Sequence, residues 1–494
     1  MRVGVIGSGF SGLASACYAA KEGYEVLVFE KNATVGGRAR QLIDRGFIFD
    51  IGPSWYWMPD VFERFFADFG KKPSDYYSLV RLDPGFQIIF GENDLLPVHA
   101  DGAQLEELFE QIEPGSAVQL RKFLKEAAYK YRLGMEELVY RPALSWGEYF
   151  RFSVVSGIAR SNVLKSVRSY VRSHFRDPRL IALMEFPVIF LGAMPQQIPA
   201  LYTLMNHAAL TQGTWYPIGG MHKIVEAMHQ LALSLGVKFM TDTEVQRIEV
   251  EQGRASHIRT SFGHFPVDGV IAAADYHHVE QRLLDAPHRN YSEEYWSKRT
   301  FAPSCLIYYV GVGKRLKKLQ HHNLFFDTDF EKHSRAIYEN PQWPENPLFY
   351  VCAPSVTDPV VAPIGMENLF ILIPVATHLE DTEAVRQRYF EPIIRRIEKF
   401  CGESILEHIV YRKSYCVNDF VSDYNAYGGN AYGLANTLRQ TAVLKPSVRN
   451  RQVSNLLYAG QLTVPGPGVP PALISGEIAA GQLHSILNPI ASVQ

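Results

Sequence analysis

Cysteine is scarce in this sequence. Of 494 residues only Cys17, Cys305, Cys352, Cys401 and Cys416 are cysteines, an odd number without a Cys-x-x-Cys spacing. That pattern argues against a disulfide framework and against structural zinc, and it fits a reducing compartment. There is no uninterrupted apolar run of about eighteen residues, so no membrane-spanning helix is expected. Charge of one sign is not in excess either. Lys plus Arg total 49 against 51 for Asp plus Glu, a formal net charge of −2, which excludes a general nucleic-acid binder. Internal repeats and low-complexity tracts are missing as well. The first apolar run begins at residue 2, leaving no room for a signal peptide ahead of it. The expected place is therefore the cytoplasm, in solution or peripheral on the inner face of the cell membrane. The hydrophobic share is 47%, that of a folded chain, and the length calls for two intertwined domains.

What is present begins with Gly7-x-Gly9-x-x-Gly12. It follows the apolar run Arg2 to Ile6, precedes a helical pattern over Leu13 to Glu22, and leads to Val26-Leu27-Val28-Phe29-Glu30. This order of strand, glycine turn, helix, strand and acid is a dinucleotide-binding pattern. Gly7 permits the turn, Gly9 lets backbone approach a pyrophosphate, and Gly12 lets the helix pack closely. The helix N-terminus supplies positive potential for phosphates, and Glu30 can accept hydrogen bonds from ribose hydroxyls. No second such turn follows a strand elsewhere in the chain.

The pieces belonging with this turn are separated in the sequence. The first is 1–83, including the alternating Phe47-Ile48-Phe49-Asp50-Ile51 that ends in Gly52-Pro53-Ser54. The second, 215–290, holds a helical pattern, the strand-like Val237 to Met240, Val245 to Val250, and the buried run Gly269 to Asp275. The third is 417–494. Between them, 84–214 reads mainly helical with breaks at Pro142, Pro178, Pro187 and Pro195, and 291–416 alternates strand-like runs with loops. These two insertions are expected to form one substrate-binding domain. The fold class is thus α/β, a Rossmann-like domain interleaved with an α+β domain.

Arg151 to Arg176 carries Arg151, Arg160, Lys165, Arg168, Arg172 and Arg176 with no acid but with many apolar partners. A basic amphipathic helix of this kind can dock on anionic lipid headgroups, and equally it can be a surface helix packed on its own domain.

Lys31-Asn32-Ala33-Thr34-Val35-Gly36-Gly37-Arg38 follows directly on the acid. It resembles the second phosphate-contacting turn of FAD-binding oxidoreductases of the amine oxidase and desaturase type, which places FAD ahead of NAD. Four further segments widen the resemblance: Trp215 to Met221, Cys352 to Asp358, Asp423 to Gly433, and Val464-Pro465-Gly466-Pro467-Gly468-Val469-Pro470-Pro471. With these, nearly the whole chain is similar to the bacterial and fungal phytoene desaturase family. The resemblance implies FAD as the cofactor, a hydrophobic carotenoid substrate drawn from a membrane surface, and oxygen or a quinone as electron acceptor. It also implies stepwise removal of two hydrogens from CH2–CH2 units beside a conjugated chain, as in forming lycopene from phytoene.

Carried over by position, Gly7, Gly9, Gly12, Glu30, Lys31, Gly36, Gly37 and Arg38 hold the ADP half, and Val245 meets the adenine. Gly460, Gly468, Val469 and Pro470 border the flavin, and Gly52, Pro53, Ser54 and Asp275 complete the cofactor set. Where relatives carry His-Pro-Gly, this chain has Val464-Pro465-Gly466, so no histidine acts there. Glu148 and Arg151, in a segment resembling one near the family's substrate tunnel, are the candidate catalytic pair, with helix capping the alternative for the glutamate. His277-His278 and His321-His322 show no metal-ligand spacing with neighbouring carboxylates or cysteines, and no metal is expected. A flavin amine oxidase and a non-enzymatic lipid carrier of the same fold remain as other readings. The first would be expected to carry a C-terminal aromatic cage, and the second to lack the intact glycine turn.

Overall fold

The computed structural model describes residues 1–149, 165–189 and 192–489. Its first sheet consists of five parallel strands: β1 (Arg2–Ile6), β2 (Glu25–Phe29), β3 (Lys238–Met240), β4 (Gly269–Ala272) and β5 (Leu456–Tyr458). They lie in the order β5-β4-β1-β2-β3. In register, Val5 faces Val28 on one side and Ile271 on the other. Central strands of such a sheet are covered on both faces, which is why β1 and β4 read as unbroken apolar runs and are buried almost throughout. Three antiparallel strands, Val245–Glu251, Arg254–Thr260 and Gly263–Pro266, pack over one end, with Phe265 edge-on to Phe29 at 5.2 Å.

Helix α1 (Phe10–Lys21) leaves the glycine turn, and helix α2 (Val469–Leu487) follows the Pro-Gly run. The two meet closely because small residues face each other. A Cβ on Gly476 would lie 2.5 Å from the Ser11 carbonyl oxygen and 2.7 Å from the Ala14 Cβ. α2 begins at Val469, within the Pro-Gly run itself. Pro470 and Pro471 fall in its first turn, where backbone N–H groups have no helical partner to lose.

The second sheet has seven strands, in the order Ile409–Tyr415, Ser304–Val312, Glu367–Val375, Phe349–Cys352, His322–Phe325, Phe86–Ile89 and Leu95–Val98. All neighbours are antiparallel except His322–Phe325 with Phe86–Ile89. Every residue of Ser304–Val312 is buried, so this strand forms the centre of a second core.

Two helical expectations change. Pro178 opens the helix Pro178–Ile189 and Pro187 lies inside it, so neither breaks the chain there. Of the basic stretch 151–176, residues 151–164 lie outside the described residues. The described remainder holds only the short helix Val167–Arg172, whose Val167, Tyr170 and Val171 are buried. Arg168 pairs with Glu331, and Arg172 lies 3.6 Å from Glu185, so this part packs on its own protein. Among the described residues no helix is long and apolar enough to cross a membrane.

Candidate functional site

The glycine turn is dictated by close contacts. Gly7 sits at φ +95°, a conformation that disfavours side chains, and its N–H donates to the Phe29 carbonyl at 2.8 Å. A Cβ on Gly12 would lie 2.0 Å from the Gly7 carbonyl oxygen, so the helix can start there only without one. Gly9 is different. The nearest atom to a Cβ built on it is the Gly37 Cα at 4.0 Å, so a side chain there would project into open space. Gly36, at φ +114°, donates to the Ser8 carbonyl and brings the second turn against the first.

Glu30 is 5% exposed at the end of β2. Its Oε2 accepts from the Ser8 N–H at 3.0 Å and Oγ at 2.6 Å, and its Oε1 from the Asn32 N–H at 2.9 Å and Nδ2 at 3.0 Å. The carboxylate therefore ties the two turns together as well as lining the cavity they share. Ser8 Oγ and Asn32 Nδ2 are the rotatable donors that a ribose can displace, while the two backbone amides stay. Glu30→Ala removes both functions, and FAD affinity is expected to fall by about 1 to 3 kcal/mol, the usual loss for hydrogen bonds to a charged group. Titration of flavin fluorescence checks this.

Arg38 supplies the cation. Its Nη2 donates to the Asn430 carbonyl at 3.2 Å, its guanidinium lies 5.1 Å from the Tyr424 ring centre, and its Nε is buried with no partner. Burial pushes its pKa below the ordinary value, while Asp275 nearby favours the charge. A desolvated guanidinium with a partnerless Nε beside side-chain-free turns matches a diphosphate. The residues present therefore fit a dinucleotide such as FAD.

These turns open onto one cavity of about 470 Å³. Gly52, Pro53 and Ser54 line it, as do Lys31, Val245, Asp275, Gly460, Gly468, Val469 and Pro470, so the structure gathers the cofactor set around one space. Beyond the turns the cavity runs between apolar side chains, including Leu324, Phe326, Phe330 and Leu372. His333 is the histidine on that wall, and both its nitrogens are engaged. Nε2 bonds the Pro374 carbonyl at 2.8 Å, and Nδ1 accepts the Leu348 N–H at 2.9 Å.

Of the candidate catalytic pair, only Glu148 falls among the described residues. Glu148 does not line the cavity, and its two oxygens accept the N–H groups of Ala143, Leu144 and Ser145 at 2.6 to 3.1 Å. A carboxylate so occupied caps a turn. Arg151 lies outside the described residues. The partners missed in the sequence, Ser8, Asn32, Tyr424 and Asn430, sit one or two residues from recognised motifs or within an unassigned one. Their side chains act on those motifs and carry no signature of their own.

Residues 10–484 match the family profile of flavin containing amine oxidoreductases. The chain is 41% identical over 491 residues to the carotenoid 3,4-desaturase of Haloarcula japonica, with 97% of each chain covered. It is 32% identical over 490 residues to a zeta-carotene-forming phytoene desaturase of Myxococcus xanthus, covering 98% of this chain and 93% of that one. Among solved structures, a redesigned putrescine oxidase superposes with a TM-score of 0.65 at 13% identity over 98% of both chains, a likeness of fold alone.

Proposed function

The chain belongs to the flavin containing amine oxidoreductase family, and from that premise we propose that it is a carotenoid desaturase working on phytoene at a membrane face. It is an FAD-dependent oxidoreductase of CH–CH groups, and the finer reading concerns its substrate. The observation that carries this reading is the continuity of the cavity, which joins the dinucleotide turns directly to a wall of apolar side chains. A polyene hydrocarbon is the kind of molecule that gains from such a wall. An amine substrate is disfavoured by the loop Pro465 to Pro471, which contains no aromatic residue for a cage.

When bound, FAD supplies a two-electron acceptor for a hydride from a carbon beside the conjugated chain. The protein's own part is to hold the cofactor through Arg38 and the glycine turns and to keep water from the apolar wall. It does not have to offer a strong base, because a conjugated chain spreads positive charge and makes the neighbouring proton easy to lose. That agrees with Glu148 and His333 both being engaged elsewhere. The substrate arrives from a bilayer, and oxygen or a membrane quinone takes the electrons on. The proposed contact with the inner face of the cell membrane lies in the stretch 151–176, outside the helix Val167–Arg172 that packs on its own protein.

A second reading is favoured by the 41% identity to a carotenoid 3,4-desaturase. In it the same chemistry acts on a hydroxylated or already conjugated carotenoid. One experiment tests both. Liposomes carrying phytoene, or carrying a hydroxylated carotenoid, receive protein, FAD and an electron acceptor without nicotinamide. Longer-wavelength pigments are the expected product. Conversion of only the second substrate would move the assignment to the sister activity, and conversion of neither, or an obligatory need for NAD or NADP, would overturn the proposal.

A further inference from the structure

Behind the cavity wall lies a cluster that sequence spacing did not reveal. His322 and Cys352 are direct cross-strand partners in the antiparallel pair His322–Phe325 and Phe349–Cys352, so their side chains share one face at close range. His321 precedes the strand, and its carbonyl is held by the Ala353 N–H at 2.8 Å. One nitrogen of each imidazole and the Cys352 sulfur all lie within 4.8 Å of one another. The three residues are 3%, 0% and 4% exposed.

The hydrogen bonding around this cluster is one-sided. His321 Nδ1 is 2.9 Å from the Thr357 hydroxyl, and His322 Nδ1 is 2.6 Å from the Tyr350 hydroxyl. Tyr350 gives its own proton to Ser54 Oγ at 2.9 Å. Its oxygen therefore accepts from His322 Nδ1–H, which leaves the His322 Nε2 as a bare lone pair. Both Nε2 atoms are buried with no partner. Two partnerless imidazole nitrogens beside a thiol sulfur, all buried and this close, form a donor set suited to a cation of the zinc class. A histidine whose far nitrogen is fixed by a hydroxyl is also the usual arrangement of a metal ligand. Beside Cys352, a small cavity of about 20 Å³ lined by Asp50, Ser54 and Tyr216 is large enough for one water.

We propose that His321, His322 and Cys352 bind a single divalent transition-metal ion of the zinc class, with water completing a tetrahedral N2SO set. Binding converts the Cys352 thiol to a thiolate and releases one proton to solvent, with no change of oxidation state. The ion would pin two strands of the seven-stranded sheet. It would do so directly behind Trp55, whose ring stacks on His322 at 4.0 Å and lines the cavity. Its role is to hold that wall, away from the reacting atoms.

The test uses the full-length, flavin-loaded protein, freed of any affinity tag and dialysed against metal-free buffer. Elemental analysis should find one equivalent of zinc per chain in the wild type, with loss of nearly all of it in His322→Ala and in Cys352→Ser. Protein refolded with Co²⁺ should show a near-ultraviolet thiolate-to-cobalt band that Cys352→Ser abolishes. No zinc in the wild type together with no cobalt band, or equal metal in wild type and Cys352→Ser, would overturn the proposal. Should His322→Ala fail to fold, the wild-type stoichiometry and the cobalt band decide alone.

Discussion

Gly9→Asp is expected to give a folded protein that binds no flavin. A side chain at this position meets no atom closer than the Gly37 Cα at 4.0 Å, so the fold has room for it. The room, however, lies in the cavity between the two glycine turns, facing the Arg38 side of the site. A carboxylate there stands where a pyrophosphate must lie. Two unit charges of like sign 4 Å apart repel by about 4 kcal/mol at an effective dielectric of about 20, a factor approaching a thousand in affinity. The flavin absorption of the purified protein should disappear while its far-ultraviolet circular dichroism stays that of the wild type. Gly12→Ala would serve poorly as a control, because its Cβ would collide with the Gly7 carbonyl at 2.0 Å and damage the turn itself. Retention of a flavin spectrum by Gly9→Asp at ordinary FAD concentrations would refute the placement of the cofactor.

Gly7 and Gly12 were legible because backbone geometry local to one strand–turn–helix unit requires them, and local geometry leaves a spacing in the sequence. Glu30 was legible for the same reason, but only in part. Its acceptor capacity toward a ribose follows from its place after β2, whereas its four donors come from Ser8 and Asn32, which share no periodicity with it. Glu148 carried two readings in the sequence, and its contacts are those of the capping one, because a carboxylate three to five residues beyond a set of free amides turns back on them. The closeness of the histidine pair to Cys352 left no trace in the sequence, because it arises through strand pairing. His322 and Cys352 stand thirty residues apart in sequence yet directly opposite in the sheet, and no ligand-spacing rule reaches across a connection of that length.

Replacing Lys445 by methionine is expected to stabilise the flavin-free protein at neutral pH by several kcal/mol. Lys445 is 4% exposed, and its Nζ is buried without a hydrogen-bond partner, as is the Oδ1 of Asn436. Both atoms lie within 3.2 Å of where a Cβ on Gly466 would stand, so they back the Pro-Gly loop without lining the cavity. Burial pushes the Lys445 ammonium down to about 7. In the unfolded chain it titrates near 10.4, so between about pH 7 and pH 10 the unfolded state binds more protons and stability rises with pH. Below about 7 both states are charged, and the whole cost of burying the ammonium is present. At about 1.4 kcal/mol per pKa unit, that cost is roughly 3 to 5 kcal/mol. Methionine has a similar length, carries no charge and adapts to irregular space. Chemical denaturation at a series of pH values should therefore show Lys445→Met more stable than wild type at pH 7, with the difference shrinking toward pH 10. A variant less stable than wild type at pH 7 would mean that the ammonium contributes a favourable interaction in the folded protein that outweighs its desolvation.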